Sequence, residues 1–299
     1  MNQMVGEQST QKASNVIGVL WMLVAVTALT SMFAIAKHLM NSLPIYEVGL
    51  FRFVMSLLFY LPWVFRSGIG ALKTDRPIAH LSRGCLGAAS LAASIYAVHH
   101  MRLADATVLA FTIPLWSIVF AAFFLHERIR LHRSIATFIG FLGVVIMVKP
   151  HTGFEPAAAI AVLSAVLATS AITTMKSLTR TEPTERIVFY FLFIGSIVMG
   201  VPALLVFQAP SASDWAWLVL LGFVGSVGQY CMTRAYTAGD MTVIAPFDFA
   251  RVIIAGLFGY LLFDELPDAI AILGASVIVA SCVYIVHYEA IERRSASTL

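Results

Sequence analysis

Three ionisable side chains stand inside apolar segments of this chain. Asp248 and Arg251 lie in the segment 241–263, and Arg52 lies in the segment 46–65. At membrane depth such groups cost several kcal/mol unless paired or wetted, so each marks a place where chemistry is done. Asp248 and Arg251 are three residues apart, which puts them on one helix face. Two roles are open for them. They could satisfy each other and fix helix packing, or Asp248 could hold Arg251 as an anchor for an anionic group. In the second role Arg52 and Arg251 would grip a carboxylate, while Asp248 positions Arg251 or meets an amine.

Aromatic and polar residues extend this set. Tyr96, His99 and His100 close the third apolar segment, and Gln229, Tyr230 and Arg234 close the eighth. Tyr96, Trp116 and Tyr230 would supply a ring surface for an aliphatic or aromatic moiety. His100 and Asp248 are the candidates for proton coupling. Pro114 in the fourth segment and Pro246 in the ninth would interrupt the backbone ladder and turn carbonyls toward a cavity. Lys37, Lys176 and Arg234 sit at segment ends where gates would lie. Glu127 and Glu265 read first as solvated helix ends.

The elements that must position these groups are helices. The chain is 60% hydrophobic and 12% charged, with a mean hydropathy of +0.87; soluble domains carry roughly 25% charged residues. A span needs roughly 20 apolar residues, and ten are readable, at about 15–37, 46–65, 80–101, 106–125, 132–149, 156–178, 186–207, 214–235, 241–263 and 267–288. With the N-terminus inside, 14 of the 19 Lys and Arg fall on the cytoplasmic side, Arg83 among them. That asymmetry places both termini in the cytoplasm, and the expected site is the cytoplasmic (inner) membrane.

The chain also repeats itself. Ser31-Met-Phe-Ala-Ile-Ala-Lys37 with Pro44 is answered by Ser170-Ala-Ile-Thr-Thr-Met-Lys176 with Pro183. Ala106-Thr-Val-Leu-Ala110 is answered by Met241-Thr-Val-Ile-Ala245. The fold class expected is therefore an all-α membrane protein of ten transmembrane helices, built as two five-helix repeats, 1–150 and 151–299. Five spans per half force opposite orientations, the inverted-repeat design of membrane transporters. Glycines spaced by three (Gly84 and Gly87, Gly140 and Gly143, Gly222, Gly225 and Gly228) read as close helix contacts.

Other classes fit poorly. Cys85, Cys231 and Cys282 have no metal-ligand or redox spacing, no cofactor or metal motif is legible, and no basic stripe suggests nucleic acid. No signal-peptide pattern precedes the first segment. An intramembrane enzyme would need a nucleophile–base pair or a metal cluster at membrane depth; Ser226 is the one tempting serine, and no histidine stands at a matching depth. A channel would need charge rings or a filter loop. The expected partners are a small-molecule substrate and the lipid bilayer, and a homodimer stays open.

Val48-Gly-Leu-Phe-Arg52-Phe, Tyr96 to Thr107, Phe111-Thr-Ile-Pro114 leading to Leu125-His-Glu127, and Ala245-Pro-Phe-Asp-Phe-Ala-Arg251 leading to Phe263-Asp-Glu265 together resemble the EamA-type ten-helix carriers of the drug/metabolite transporter superfamily. The resemblance runs from about Val16 to Tyr288. It implies a central cavity lined by the first, third, fourth, sixth, eighth and ninth spans, and non-ATP transport of an amino acid or a relative such as S-adenosylmethionine, with riboflavin or another vitamin or carboxylate as the alternative. The halves are not equivalent: Pro114 stands thirteen residues before Glu127, whereas Val252 takes that place before Glu265.

Overall fold

The computed structural model describes residues 2–100, 109–127, 130–148, 156–251, 253–254, 257 and 269–297, and among them every regular element is helical. The apolar runs become α1 (Asn2–Leu39), α2 (Ile45–Leu58), α3 (Leu61–Ser67), α4 (Pro77–His100), α5 (Ile113–Leu125), α6 (Leu131–Val148), α7 (Pro156–Leu178), α8 (Thr184–Leu205), α9 (Ala212–Ala238), α10 (Met241–Ile244) and α11 (Ala269–Ser297). Among the described residues, five stretches are long and apolar enough to cross a bilayer: Asn15–Ala36, Ile45–Ser67, Pro156–Leu178, Thr184–Leu205 and Ala212–Ala238. Hydroxyls inside these helices bond back to the preceding turn, as Thr30 does to the Val26 carbonyl (2.7 Å) and Thr169 to the Ala165 carbonyl (2.8 Å). That pairing lets a polar side chain sit in an apolar setting without an orphaned donor.

Local chemistry sets the ends. A capping box starts α9: Ser211 Oγ accepts from the Asp214 amide, and the Asp214 carboxylate accepts from the Ser211 amide. Prolines stop or split helices because they lack an N–H. The second span is not one helix: it breaks at Phe59–Tyr60, with Pro62 in the first turn of α3. The ninth is also broken. After four residues α10 tightens into a 3-10 turn, Ala245–Phe249, with Pro246 in its first turn. Pro114 occupies the first turn of α5, just after a turn at Phe111–Thr112.

Packing pairs α1 with α9, α4 with α7, α2 with α8, and α6 with α11, while α2 also meets α9 and α4 meets α8. The glycines spaced by three lie at these seams. A Cβ on Gly222 would overlap Met55 Cβ and stand 2.7 Å from its carbonyl carbon, so glycine here lets the backbones of α2 and α9 approach each other. A Cβ on Gly143 would likewise stand 2.9 Å from the Gly274 carbonyl oxygen of α11. Without a hydrophobic force between helices in lipid, such approach supplies the contact area.

Candidate substrate site

Between α1, α2, α4, α7, α8, α9 and the broken segment after α9 lies a cavity of about 240 Å³. Arg52, Asp248 and Arg251 all line it. Arg251 Nη2 donates to Asp248 Oδ1 at 2.7 Å. The 3-10 turn carries Asp248 onto the wall, and Arg251 follows one turn later, so the break at Pro246 aims the pair inward. Arg251 Nε is buried and has no partner among the described residues, and its guanidinium carbon stands 5.7 Å from the Phe33 ring centre. Arg52 Nε points at the Met32 sulfur, 3.2 Å away, a weak acceptor for a charged donor.

Sequence reading counted Arg83 only among the cytoplasmic charges and not among the site residues, where the structure puts it. Arg83 is 2% exposed, lines the cavity, and leaves Nη1 without a partner. Its signal was legible: Arg83, Gly87, Ser90 and Ser94 recur at four, three and four residues, one face of α4, and all line the cavity. Opposite, Ser90 and Ser164 exchange hydroxyl-to-carbonyl bonds of 2.9 and 2.8 Å, fixing α4 to α7. Gln229 and Tyr236 of α9 add polar groups, and Phe33 and Phe191 add ring faces.

Four expected residues stand off this cavity. Tyr96 and His100 stack on each other (centroids 4.0 Å) on an exposed face of α4; Tyr96 is about 200° round the helix from Ser94. Tyr230 is one residue, about 100°, beyond Gln229. It packs edge-on against Trp21 and points its hydroxyl at Glu185, 3.4 Å away. Trp116 is half-buried one turn below Ile113, where α5 leaves the cavity wall. The Lys37 and His99 side chains and the whole of Glu265 lie outside what is described.

Lys176, Arg234 and Glu127 surround the end of α9 and the start of α10. Lys176 Nζ donates to the carbonyls of Tyr236 (2.7 Å) and Gly239, the electronegative end of α9. Glu127 accepts from the amides of Met241 (3.0 Å) and Thr242 (3.2 Å) and from the Thr242 hydroxyl (3.3 Å). Glu127 is therefore more than a solvated helix end. Arg133 donates to Thr242 Oγ1 (2.9 Å) and stands 3.7 Å from Asp240, and Asn15 accepts from the Asp240 amide (2.8 Å). Arg234 is exposed, with its guanidinium carbon 5.8 Å from the Trp21 ring centre.

A second clamp joins the 68–76 connection to the α7–α8 loop. Arg76 donates to the Ser177 carbonyl and hydroxyl, both at 2.9 Å. Thr74 donates to Glu182 at 2.6 Å, and Arg186 pairs with the same carboxylate. Burial alone would raise the Glu182 carboxyl, but the hydrogen bonds from Thr74 and Arg186 hold it below the ordinary value.

A helical fold of bilayer-length elements around a cationic cavity defines a membrane carrier. The EamA-like transporter family matches residues 16–149 and 156–287. Over 273 residues the chain is 31% identical to a protein of Rickettsia felis named S-adenosylmethionine uptake transporter, covering 91% of this chain and 93% of that one. It is 32% identical to the pseudopaline exporter CntI of Pseudomonas aeruginosa (89% and 94% covered) and 33% identical to a riboflavin transporter of Rhizobium johnstonii (92% of each). A solved crystal structure superposes with a TM-score of 0.78 at 19% identity, covering 92% of this chain and 96% of the other, which shows the fold. The chain belongs to the EamA-like transporter family. It is an integral membrane transporter of a small molecule, not an enzyme.

Proposed function

We propose that the chain is a secondary transporter of the cytoplasmic (inner) membrane, with ten spans in two inverted five-helix halves, 1–150 and 151–299, and both termini in the cytoplasm. Its cargo is an amino-acid-type metabolite: Arg52 and Arg251 hold the carboxylate, and Asp248 meets the amine. The observation that carries this reading is the Asp248–Arg251 pair on the cavity wall, with Arg251 Nε unmatched among the described residues. A packing pair would use its donors on the protein; this one keeps a donor for a guest. S-Adenosylmethionine has such an amino-acid end. The Phe33 and Phe191 faces on the same cavity favour, as second reading, a ring-bearing cargo of the riboflavin type.

The packing pattern supports the repeat. Exchanging each span for the one five later turns the α1–α9 contact into the α7–α4 contact and maps α2–α8 and α6–α11 onto themselves. In this frame the Glu127, Arg133 and Asn15 bonds to Asp240–Thr242 join the two halves at the cytoplasmic side. They must part for the cavity to open inward, and the halves then rock about the midplane. No ATP motif is present, so gradients of cargo or ion drive the cycle, and Asp248 is the group through which a proton would couple.

Thermal stability of the purified protein in detergent tests the assignment against amino acids, S-adenosylmethionine, riboflavin, carboxylates and polyamines. A ligand of the folded state adds roughly 2.7 kcal/mol at a hundredfold excess over Kd. Stabilisation by an amino-acid-type compound that is lost in Arg251→Ala supports the reading. An Arg251→Ala protein that fails to fold assigns the pair to packing instead.

A further inference from the structure

The amino-acid reading leaves one cavity cation unused. Arg83 is buried, with Nη1 unmatched, and among the described residues no carboxylate pairs with it. The other two arginines gather against neighbouring residues of α1, Arg52 at Met32 and Arg251 at Phe33. Arg83 stands elsewhere, its guanidinium carbon 4.6 Å from the Phe191 ring centre. Phe191 meets Phe53 edge-on at 5.4 Å, and the Arg52 carbon lies 4.9 Å from Phe53. Two aromatic rings therefore separate two cationic positions on one cavity.

Charge decides what such a cavity accepts. Three arginines and one aspartate leave a surplus of two positive charges on its wall. A zwitterionic amino acid cancels none of it, and a sulfonium-bearing one adds to it. Buried charge persists only when paired or solvated, and a guanidinium that reaches a buried site without a protein acceptor is arranged for an anion that arrives later. The α4 face from Arg83 to Ser94 is eleven residues long, about 16 Å at 1.5 Å per residue, so the slot admits an elongated guest.

We propose that Arg83 is a second anion subsite, and that the cargo is an amino-acid-type metabolite with a second carboxylate at its far end. This rests on the reading of Arg52, Asp248 and Arg251 given above. L-2-Aminoadipate and L-norleucine probe it, because they share a carbon count and differ by a carboxylate in place of a methyl group. On the full chain in detergent, aminoadipate stabilises at concentrations about tenfold below norleucine, the gain of one charge-assisted contact. Arg83→Gln makes the two probes equivalent, and Arg83→Lys restores part of the preference. Equal potency in the wild-type protein, no response to aminoadipate, or equal stabilisation by chloride alone overturns the inference, and needs no variant to be read. If both probes act and Arg251→Gln leaves both unchanged, the amino-acid reading itself fails.

Discussion

In the proposed topology the Glu127 contacts to Met241 and Thr242 close the cavity on its cytoplasmic side, and replacing Glu127 with glutamine weakens that latch without changing its shape. The carboxylate accepts three bonds, from two main-chain amides and one hydroxyl, at 3.0 to 3.3 Å. Glutamine keeps one oxygen and presents an NH2 group to donors where the other oxygen stood. Hydrogen bonds to a charged group contribute about 1.5–3 kcal/mol; Glu127 is half-buried, so about 2 kcal/mol for the substitution is a fair magnitude. If these bonds exist only while the inner side is closed, the open population rises about thirtyfold. The assay places a reporter on the cavity wall by Ala168→Cys, with Cys85, Cys231 and Cys282 replaced, and measures labelling by an impermeant maleimide in inside-out vesicles. Labelling rises ten- to thirtyfold in Glu127→Gln, within that range of population shift. Unchanged labelling in a folded variant would refute the latch.

Two further outcomes follow from packing and charge. Gly222→Ala forces a Cβ into overlap with Met55 Cβ and lowers stability by about 1–3 kcal/mol, whereas Gly200→Ala, whose nearest neighbour is Leu50 at 3.9 Å, stays within about 0.5 kcal/mol; melting in detergent separates the two. Because Glu182 is held below its ordinary value of 4.5, the stability it supplies is present above that value and is lost as pH falls through the lower, folded one. The melting temperature of the wild type therefore drops faster than that of Glu182→Gln between pH 5 and pH 3, a window set by that downward direction.

The helical elements were legible because hydropathy and span length constrain a bilayer protein more tightly than any soluble fold. The glycines spaced by three announced their seams for the same reason. Asp248, Arg251 and Arg52 were found because a charge inside an apolar run is conspicuous. Arg83 was missed by the same logic: it lies six residues into α4, where an interfacial arginine is ordinary, and its spacing with Gly87, Ser90 and Ser94 gains meaning only once its guanidinium is seen over the Phe191 ring on the cavity wall. Tyr230 and Tyr96 were misdirected because one or two residues rotate a side chain by 100° or 200°, finer than segment boundaries read from sequence. The 3-10 turn at Pro246 was only half legible. Proline announces a break, but the tightened turn that brings Asp248 to the wall depends on α10 being held by Glu127 from another part of the chain.

The most direct test of the central claim is counterflow in proteoliposomes loaded with an unlabelled amino-acid-type metabolite that stabilises the protein, with labelled cargo outside. The account predicts saturable exchange that falls at least tenfold in Arg251→Gln and in Arg52→Gln while both variants melt as folded proteins, the scale of one lost charge-assisted contact. Exchange at the wild-type rate in either folded variant would contradict the placement of the cargo carboxylate between the two arginines.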